Sequence, residues 1–177
     1  MKRTVKTDLT IVGAGYSGIC AAIAAARHGL RVALVNDRNV LGGNASSEHR
    51  IHVNGGAIGS PSLYGREGGI ADELKMFTFY KNPNYNQKKD YHLSDMALLD
   101  KVLAEENIEL YLGTVVYDCE CQGDKVTNAF AVKPKQTSKS PLKVIIFATL
   151  PVMVFWLSKQ VVNLEWAEKQ VLNLMKV

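Results

Sequence analysis

Gly13, Gly15 and Gly18 follow the apolar run Leu9–Val12 at G-x-G-x-x-G spacing, within the stretch D-L-T-I-V-G-A-G-Y-S-G. Each glycine meets a different demand of binding a pyrophosphate. Gly13 makes a tight turn out of a strand, Gly15 lets the anion reach bare backbone, and Gly18 lets the next helix pack close to the sheet. A helix over Tyr16–His28 aims its unpaired N–H groups and positive dipole end at that anion. The chemistry implied is the holding of a dinucleotide.

Glycines at these intervals arise by chance in a chain with 14 of them, so the surrounding elements carry the argument. Leu9–Val12 is short and apolar, as a buried parallel strand is, and Ile19–Ala26 is small and helix-favouring, as a helix pressed on a sheet must be. Gly29 stands where a helix ends on glycine. Arg31–Val35 supplies a second strand, which completes a strand, turn, helix and strand unit. The expected arrangement is a parallel sheet with Leu9–Val12 central, flanked by Arg31–Val35 and Glu109–Leu112.

Asn36, Asp37 and Arg38 occupy the place where a dinucleotide fold sets an acid against the adenosine ribose. Asn36 holds the usual carboxylate position and can meet ribose hydroxyls as an amide, with Asp37 supplying charge one residue later. Gly42, Gly43 and Asn44, followed by Ser46 and Ser47, form a second loop able to lay N–H groups along a phosphate. The glycines alone leave NAD and FAD both open.

Composition limits the alternatives. The chain has 177 residues, 47% of them apolar and 21% charged, with a net charge of +4; it can fill one core of ordinary size. Lys and Arg are scattered rather than gathered on one face, which argues against nucleic acid as a partner. Three cysteines make no disulfide framework and no four-cysteine cluster. Cys119 and Cys121, two apart on a strand, read as small buried side chains, and no metal site is expected. Met1–Lys6 is basic but leads into polar Thr7-Asp8 without an apolar core, so it is not a signal peptide; a reduced, cytoplasmic setting is expected.

Farther along, Ile70–Tyr80 reads as a helix with Ile70, Leu74, Phe77 and Met76 on its apolar face. Residues 82–87 form a loop. Ser94 is placed to cap a helix running to about Glu106, with Met96, Leu99, Val102 and Leu103 inward. Glu109–Leu112 is a strand, and Val115–Cys121 with Val126–Val132 read as a hairpin.

The opening I-V-G-A-G-Y-S-G-I-C-A-A-I-A-A-A-R-H-G, with V-N-D-R-N-V-L-G-G-N-A-S-S-E after the second strand, resembles the FAD-dependent oxidoreductases of the glutathione-reductase-like flavoprotein class. Within that class it is similar to a bacterial group related to one of the subunits of heterodisulfide reductase. The resemblance covers the N-terminal portion only, through about Lys135. It implies an α/β, Rossmann-like FAD-binding domain with a central parallel sheet and an added β-hairpin or meander, serving flavin-mediated transfer of hydride or electrons to or from an unknown small-molecule substrate. By that resemblance Gly13, Gly15, Ser17 and Gly18 would hold the FAD pyrophosphate, and Asn36, Asp37 and Arg38 would surround the adenosine end. Gly42, Gly43 and Asn44 would line the phosphate and ribityl side, and the backbone of Val116 would reach the adenine. The next segment would run toward the flavin ring, making His49, Arg50 and His52 the candidates for orienting a substrate. Such side chains beside a dinucleotide are more often solvated or phosphate-facing than catalytic.

Residues 1–140 thus form the dinucleotide-binding domain, incomplete at its C-terminal side, and residues 141–177 an atypical apolar tail. In Val144–Leu157 only Thr149 is polar, and Pro151 interrupts the run. That is short of the roughly twenty residues of a membrane span and reads as buried core or an interfacial segment. The resembled family places a motif like A-T-G-D-G here. Read from the third base of the Phe147 codon, the chain through Trp156 is compatible with arginine or cysteine followed by D-A-T-G-D-G-V-L; the second glycine is forced by Met153-Val154 and the leucine by Phe155-Trp156. The tail is therefore read as the family's sequence in a shifted frame. It is expected to dock poorly and leave the FAD site open on one side. Sequencing the gene checks this: the shifted frame downstream of the Trp156 codon should continue as flavoprotein-like sequence, and its failure to do so would make the tail genuine.

Overall fold

The computed structural model describes residues 2–51, 53, 68–82, 91–122, 125–133 and 143–155. His52, the loop residues 83–87 and the tail after residue 155 lie outside them. The glycine unit forms as its sequence dictates: β1 (Lys2–Val12), α1 (Tyr16–Arg27) and β2 (Val32–Val35) follow in order, and β1 pairs with β2 in parallel, Leu9 opposite Val32 and Val12 opposite Val35. Gly18, Ile19, Ala22, Ile23 and Ala26 make the buried stripe of α1, three of them small enough to bring the helix close to the strands. The helix ends on Gly29, whose φ of 85° suits a residue without a Cβ. There the Gly29 N–H donates to Ala26 O at 2.9 Å and the Leu30 N–H to Ala25 O at 3.1 Å, so the last carbonyls are satisfied.

Past the second loop come α2 (Gly69–Lys81), α3 (Tyr91–Leu103), β3 (Ile108–Tyr111), β4 (Val115–Gln122), β5 (Lys125–Lys133) and β6 (Lys143–Phe155). Among the described residues the strands form one six-stranded sheet in the order β3-β2-β1-β6-β5-β4. β1 is interior, as expected, but its neighbours correct the sequence reading. The strand at Glu109–Leu112 pairs with β2 rather than β1, Val32 opposite Ile108, and the other neighbour of β1 is β6, in parallel. The hairpin of β4 and β5 adds on antiparallel beyond β6. Residues 144–155 thus pair with β1, and residues 143–148 with β5, which differs from the expectation that this segment docks poorly. Pro151 is accommodated because β5 reaches β6 only from Lys143 to Ala148, and the β1 register shifts between Thr7 and Leu9, opposite Thr149 and Val152. A proline without an N–H is tolerated at such a bulge, with no second strand beside it among the described residues.

The bulge also lies on the β2 side: the N–H groups of Asp8 and Leu9 both donate to Arg31 O, at 2.9 and 3.2 Å. One extra residue reverses the alternation of faces. Val5 therefore joins Ala33, Val35, Tyr111, Val126, Ala129 and Ala131 in one core, while Leu9 and Ile11 join Val32, Leu34 and the helices in the other. Thr7 and Thr10, three apart in sequence, share a face and hydrogen-bond through their buried hydroxyls at 3.0 Å.

The helices α1, α2 and α3 cover the face carrying Leu9 and Ile11, with Leu74, Leu98 and Val102 inside. α3 begins three residues before Ser94, so Ser94 is no cap; it is buried, and its Oγ accepts from Asn82 Nδ2 at 3.4 Å. Met96 and Leu103 are exposed at 59% and 62%, and Met76 of α2 at 63%, against the inward expectation. Ala97 and Leu98 take the core positions, because the helix rotates to bury the Ser94-Leu98-Val102 row. Cys121 is likewise exposed and Cys119 half-buried, correcting the reading of two buried thiols.

Charged groups tie these elements at the surface. Arg27 Nη1 meets Glu73 at 2.7 Å and its Nε meets Glu105 at 2.7 Å, while Lys101 Nζ reaches Glu73 at 2.7 Å, linking all three helices. At the bulge, Arg31 chelates Asp8 through Nη2 and Nε at 2.8 and 3.0 Å. Hydrogen bonds from Arg31 hold the Asp8 carboxyl at about 2, from an ordinary 3.8. Those of Arg27, then Lys101, hold Glu73 at about 2, from an ordinary 4.5. Each carboxylate binds its proton less readily folded than unfolded, so its contribution is present above the unfolded value and is lost as pH falls through the folded one. Melting temperature is expected to fall as pH drops from 4.5 toward 2. Thermal denaturation across that range checks it: the double variant Asp8→Asn, Glu73→Gln should show a shallower slope than the wild type.

Candidate functional site

The turn after β1 is fixed from the strand side. Gly13, with φ 106°, donates its N–H to Val35 O at 2.7 Å, so the turn stays fastened to the end of β2. Ala14 is fully buried; its N–H donates to Asn36 Oδ1 at 3.1 Å, and its carbonyl accepts from the Gly42 N–H at 2.8 Å. Gly15 is the N-cap of α1, which has neither a side-chain cap nor an acidic residue in its first turn. The first N–H groups of an α-helix have no partner within it. Such an end can receive an anion.

The glycines differ in what surrounds them. A Cβ at Gly18 would stand 2.0 Å from the Gly13 carbonyl oxygen, whereas one at Gly15 would meet nothing within 4 Å. Gly18 is required by the fold itself. Gly15 faces open space, and a side chain there would fill the room in front of the helix end. Ser17 is exposed beside it.

The second loop comes to the first. Gly15 and Gly42 form an isolated parallel bridge, and a Cβ on Gly43 would lie 3.1 Å from the Gly15 Cα. Gly43–Ala45 is a single 3-10 turn, closed by Ser46, whose Oγ donates to Gly43 O at 2.7 Å. The Ser47 N–H donates to Asp95 Oδ1 at 2.9 Å, anchoring the loop on α3. Nothing in the sequence pattern signals that anchor. Asn44 is exposed. The two glycine motifs, separate in sequence, thus form one backbone-lined surface.

At the end of β2, Asn36 is 7% exposed. Besides accepting from Ala14, its Nδ2 donates to Arg38 O at 3.3 Å and to Val40 O at 2.9 Å. The amide expected at a ribose is turned into the protein. Asp37 and Arg38 are exposed. Arg38 Nη1 donates to Glu48 at 2.5 Å and lies 2.7 Å from His49 Nε2. The Glu48 contact raises the Arg38 guanidinium above its ordinary value. Arg50 adopts φ 57° and donates from Nε to Ser47 O at 3.1 Å. His49 is thus drawn to Arg38 and Arg50 to its own loop. Val116 lies half-buried on β4; that strand is tied to the site where the Thr114 N–H donates to Asn36 O at 2.8 Å and the Gly113 N–H to Arg38 O at 3.1 Å.

A cavity of about 150 Å³ lies behind the second loop, lined by Tyr16, Ala45, Val53, Phe79, Ser94 and Leu98 among others. Another of about 330 Å³ lies under Asn39, Val40 and Leu41 against α3. Gly15 lines neither of these two, and the space a Cβ on it would enter is open. Among the described residues, no group of three His, Cys, Asp or Glu side chains could hold a metal ion, and no helix is long and apolar enough to cross a membrane.

The sequence matches the family of FAD dependent oxidoreductases over residues 8–149. The match runs on past Lys135, where the resemblance by motif ends, and takes in the first half of β6. Among curated proteins no match is found. The fold is similar to the flavin-dependent brominase Bmp2, with TM-score 0.52, 18% identity, and coverage of 88% of this chain and 39% of that one. It is also similar to Mycobacterium smegmatis Sdh1, with TM-score 0.50, 15% identity, and coverage of 86% of this chain and 34% of that one. For an L-proline dehydrogenase from P. horikoshii the figures are 0.46, 18%, 88% and 23%. At such identities the likeness to the brominase and to Sdh1 speaks for the fold alone, and the chain spans between 23% and 39% of the three proteins' lengths.

The contrast between Gly18 and Gly15 is testable in the cofactor-free chain. Alanine in a helix gains about 1 kcal/mol over glycine, but at Gly18 it must displace a backbone carbonyl, a cost of about 1–3 kcal/mol or more. Gly18→Ala is expected to be net destabilising in urea denaturation, whereas Gly15→Ala leaves stability within about 0.5 kcal/mol.

Proposed function

This chain belongs to the FAD-dependent oxidoreductase family, and from that premise we propose that it is the cofactor-binding part of a flavin enzyme, its two glycine turns forming the seat of the FAD pyrophosphate. The observation that carries the reading is the meeting of Gly15 and Gly43 in front of an uncapped helix end. The residues present fit the group. Gly15 leaves room on the open side, Ser17 brings a hydroxyl, and the first-turn N–H groups of α1 supply donors of the right sign. Asn44 extends the cradle on the ribityl side. Asp37 is exposed at the adenosine end beside Arg38, which would meet the cofactor from its place against Glu48 and His49, and the Val116 backbone is proposed to meet the adenine.

When bound, the flavin supplies the hydride or electron transfer, and the protein supplies binding and orientation. His49, Arg50 and His52 stay the candidates for orienting a substrate, which is a small molecule of unassigned class. A second reading, a nucleotide-binding chain without turnover, is supported by the end of the family match at residue 149, close to the Phe147 codon from which the shifted frame is proposed to run.

FAD titration followed by flavin absorbance and fluorescence tests the site. Wild type is expected to bind FAD, and Gly15→Val to weaken it about tenfold or more, or about 1.4 kcal/mol, while its melting temperature stays near wild type because, beyond its chain neighbours, a Cβ there meets nothing within 4 Å. Equal retention of flavin by both proteins would remove the assignment. Bound flavin that no electron donor reduces would favour the second reading.

A further inference from the structure

We infer that Asn36 is the positioning residue of the cradle: its side-chain amide sets the spacing of the two glycine turns and does not contact the adenosine ribose. The inference rests on the FAD reading above, for the use to which that spacing is put. The place at the end of the second strand is where a dinucleotide fold sets a carboxylate to accept from ribose hydroxyls. A carboxylate only accepts, whereas an amide also donates two hydrogens, and in Asn36 both functions are engaged inside the protein.

Oδ1 takes the Ala14 N–H, and Nδ2 serves the carbonyls of Arg38 and Val40. The main chain of the same residue donates to Tyr111 O and accepts from Thr114 N–H, each at 2.8 Å. One buried residue therefore joins the first glycine turn, the loop leading to the second, the end of β3 and the start of β4. The circuit closes through Ala14, whose carbonyl takes the Gly42 N–H at 2.8 Å. Gly42 is in turn the bridge partner of Gly15.

An isosteric carboxylate at this position could keep the bond to Ala14 but would oppose two carbonyl oxygens with no hydrogen between them. The loop from Arg38 to Val40 would move away, and with it Gly42 and Gly43. The geometry therefore requires the amide. It also explains how the site does without the usual acid at this position.

The test compares wild type with Asn36→Asp and Asn36→Ala, well below their melting temperatures, against two ligands: FAD, and an FAD analogue whose adenosine ribose lacks both hydroxyls. Asn36→Asp is expected to weaken binding about tenfold or more, by the same factor for both ligands, since the loss lies in the cradle. In the cofactor-free chain, Asn36→Ala should speed hydrogen exchange of the Ala14 amide about tenfold or more, with the Ile11 and Leu34 amides unchanged. The inference is overturned if Asn36→Asp holds FAD as well as wild type, or if its penalty vanishes with the analogue, which would place Asn36 on the ribose. A lowered melting temperature with unchanged FAD affinity would overturn it too, leaving a merely structural side chain. Should wild type bind no FAD, the functional reading fails by itself. The brace is then judged by exchange, and unchanged Ala14 exchange in Asn36→Ala overturns it.

Discussion

The approach of α1 to the turn before it, so close that a Cβ on Gly18 would stand 2.0 Å from the Gly13 carbonyl oxygen, sets the geometry of this protein. It holds the helix end against the strand end, and with small Ala22 and Ala26 farther along the stripe it lets the helix lie flat on β1 and β2. Ile19, Ile23, Leu34 and Val32 then close over the interface, each 1% exposed or less. Burial of side chains of this size contributes about 1.5–3 kcal/mol each, so the packing is strong enough to hold a turn that carries no side chain of its own. The same contact points the open end of α1 at the cradle. Fold and candidate site thus depend on one steric condition, with Gly15, the glycine proposed to face the cofactor, left out of the packing.

What the sequence revealed was local. The strand, turn, helix and strand from Leu9 to Val35 could be read because glycine spacing, helix stop and apolar runs are written in adjacent residues. The meeting of Gly13–Gly18 with Gly42–Gly43 was legible only through family resemblance. Long-range pairing was not legible. Ile108–Tyr111 has the composition of a buried strand, yet nothing in it says that its partner is β2 and not β1. Asn36 shows the same limit within a single side chain: type and position suggest ribose, and only the packing of Ala14 and Val40 around it reveals an inward amide. The face of α3 was misread at Met96 and Leu103 because the helix starts earlier than Ser94. Apolar residues there offer two nearly equal stripes, and burial against Leu41 and Leu74 decides between them.

The bulge at Asp8 shows how an apparent defect serves the whole sheet. A regular β1 would put Val5 on the same face as Leu9 and Ile11. With the extra residue, the early part of the strand serves the core shared with β5, and the later part serves the core under α1. The irregularity is held by the twin N–H donation to Arg31 O and by the Asp8–Arg31 chelate, and it is where Pro151 of β6 can pass. An exposed pair of this kind contributes little by itself, so its main effect is to fix the position of the face change.

The electrostatics of the cradle follow from the same backbone logic. Arg38, a nearby cation, is held by Glu48 and His49, so its charge is already answered. What remains for an anion at the glycine surface is the helix end and the N–H groups around it, partial charges that fall off within a turn. Such donors discriminate by distance and direction rather than by net charge, and they have no flexible side chain with which to reach a misplaced ligand. A site built this way is only as good as the rigidity of the loops that form it. The hydrogen bonds through Ala14, Asn36 and Ser46 are therefore as much part of its chemistry as the glycines that would touch the phosphates.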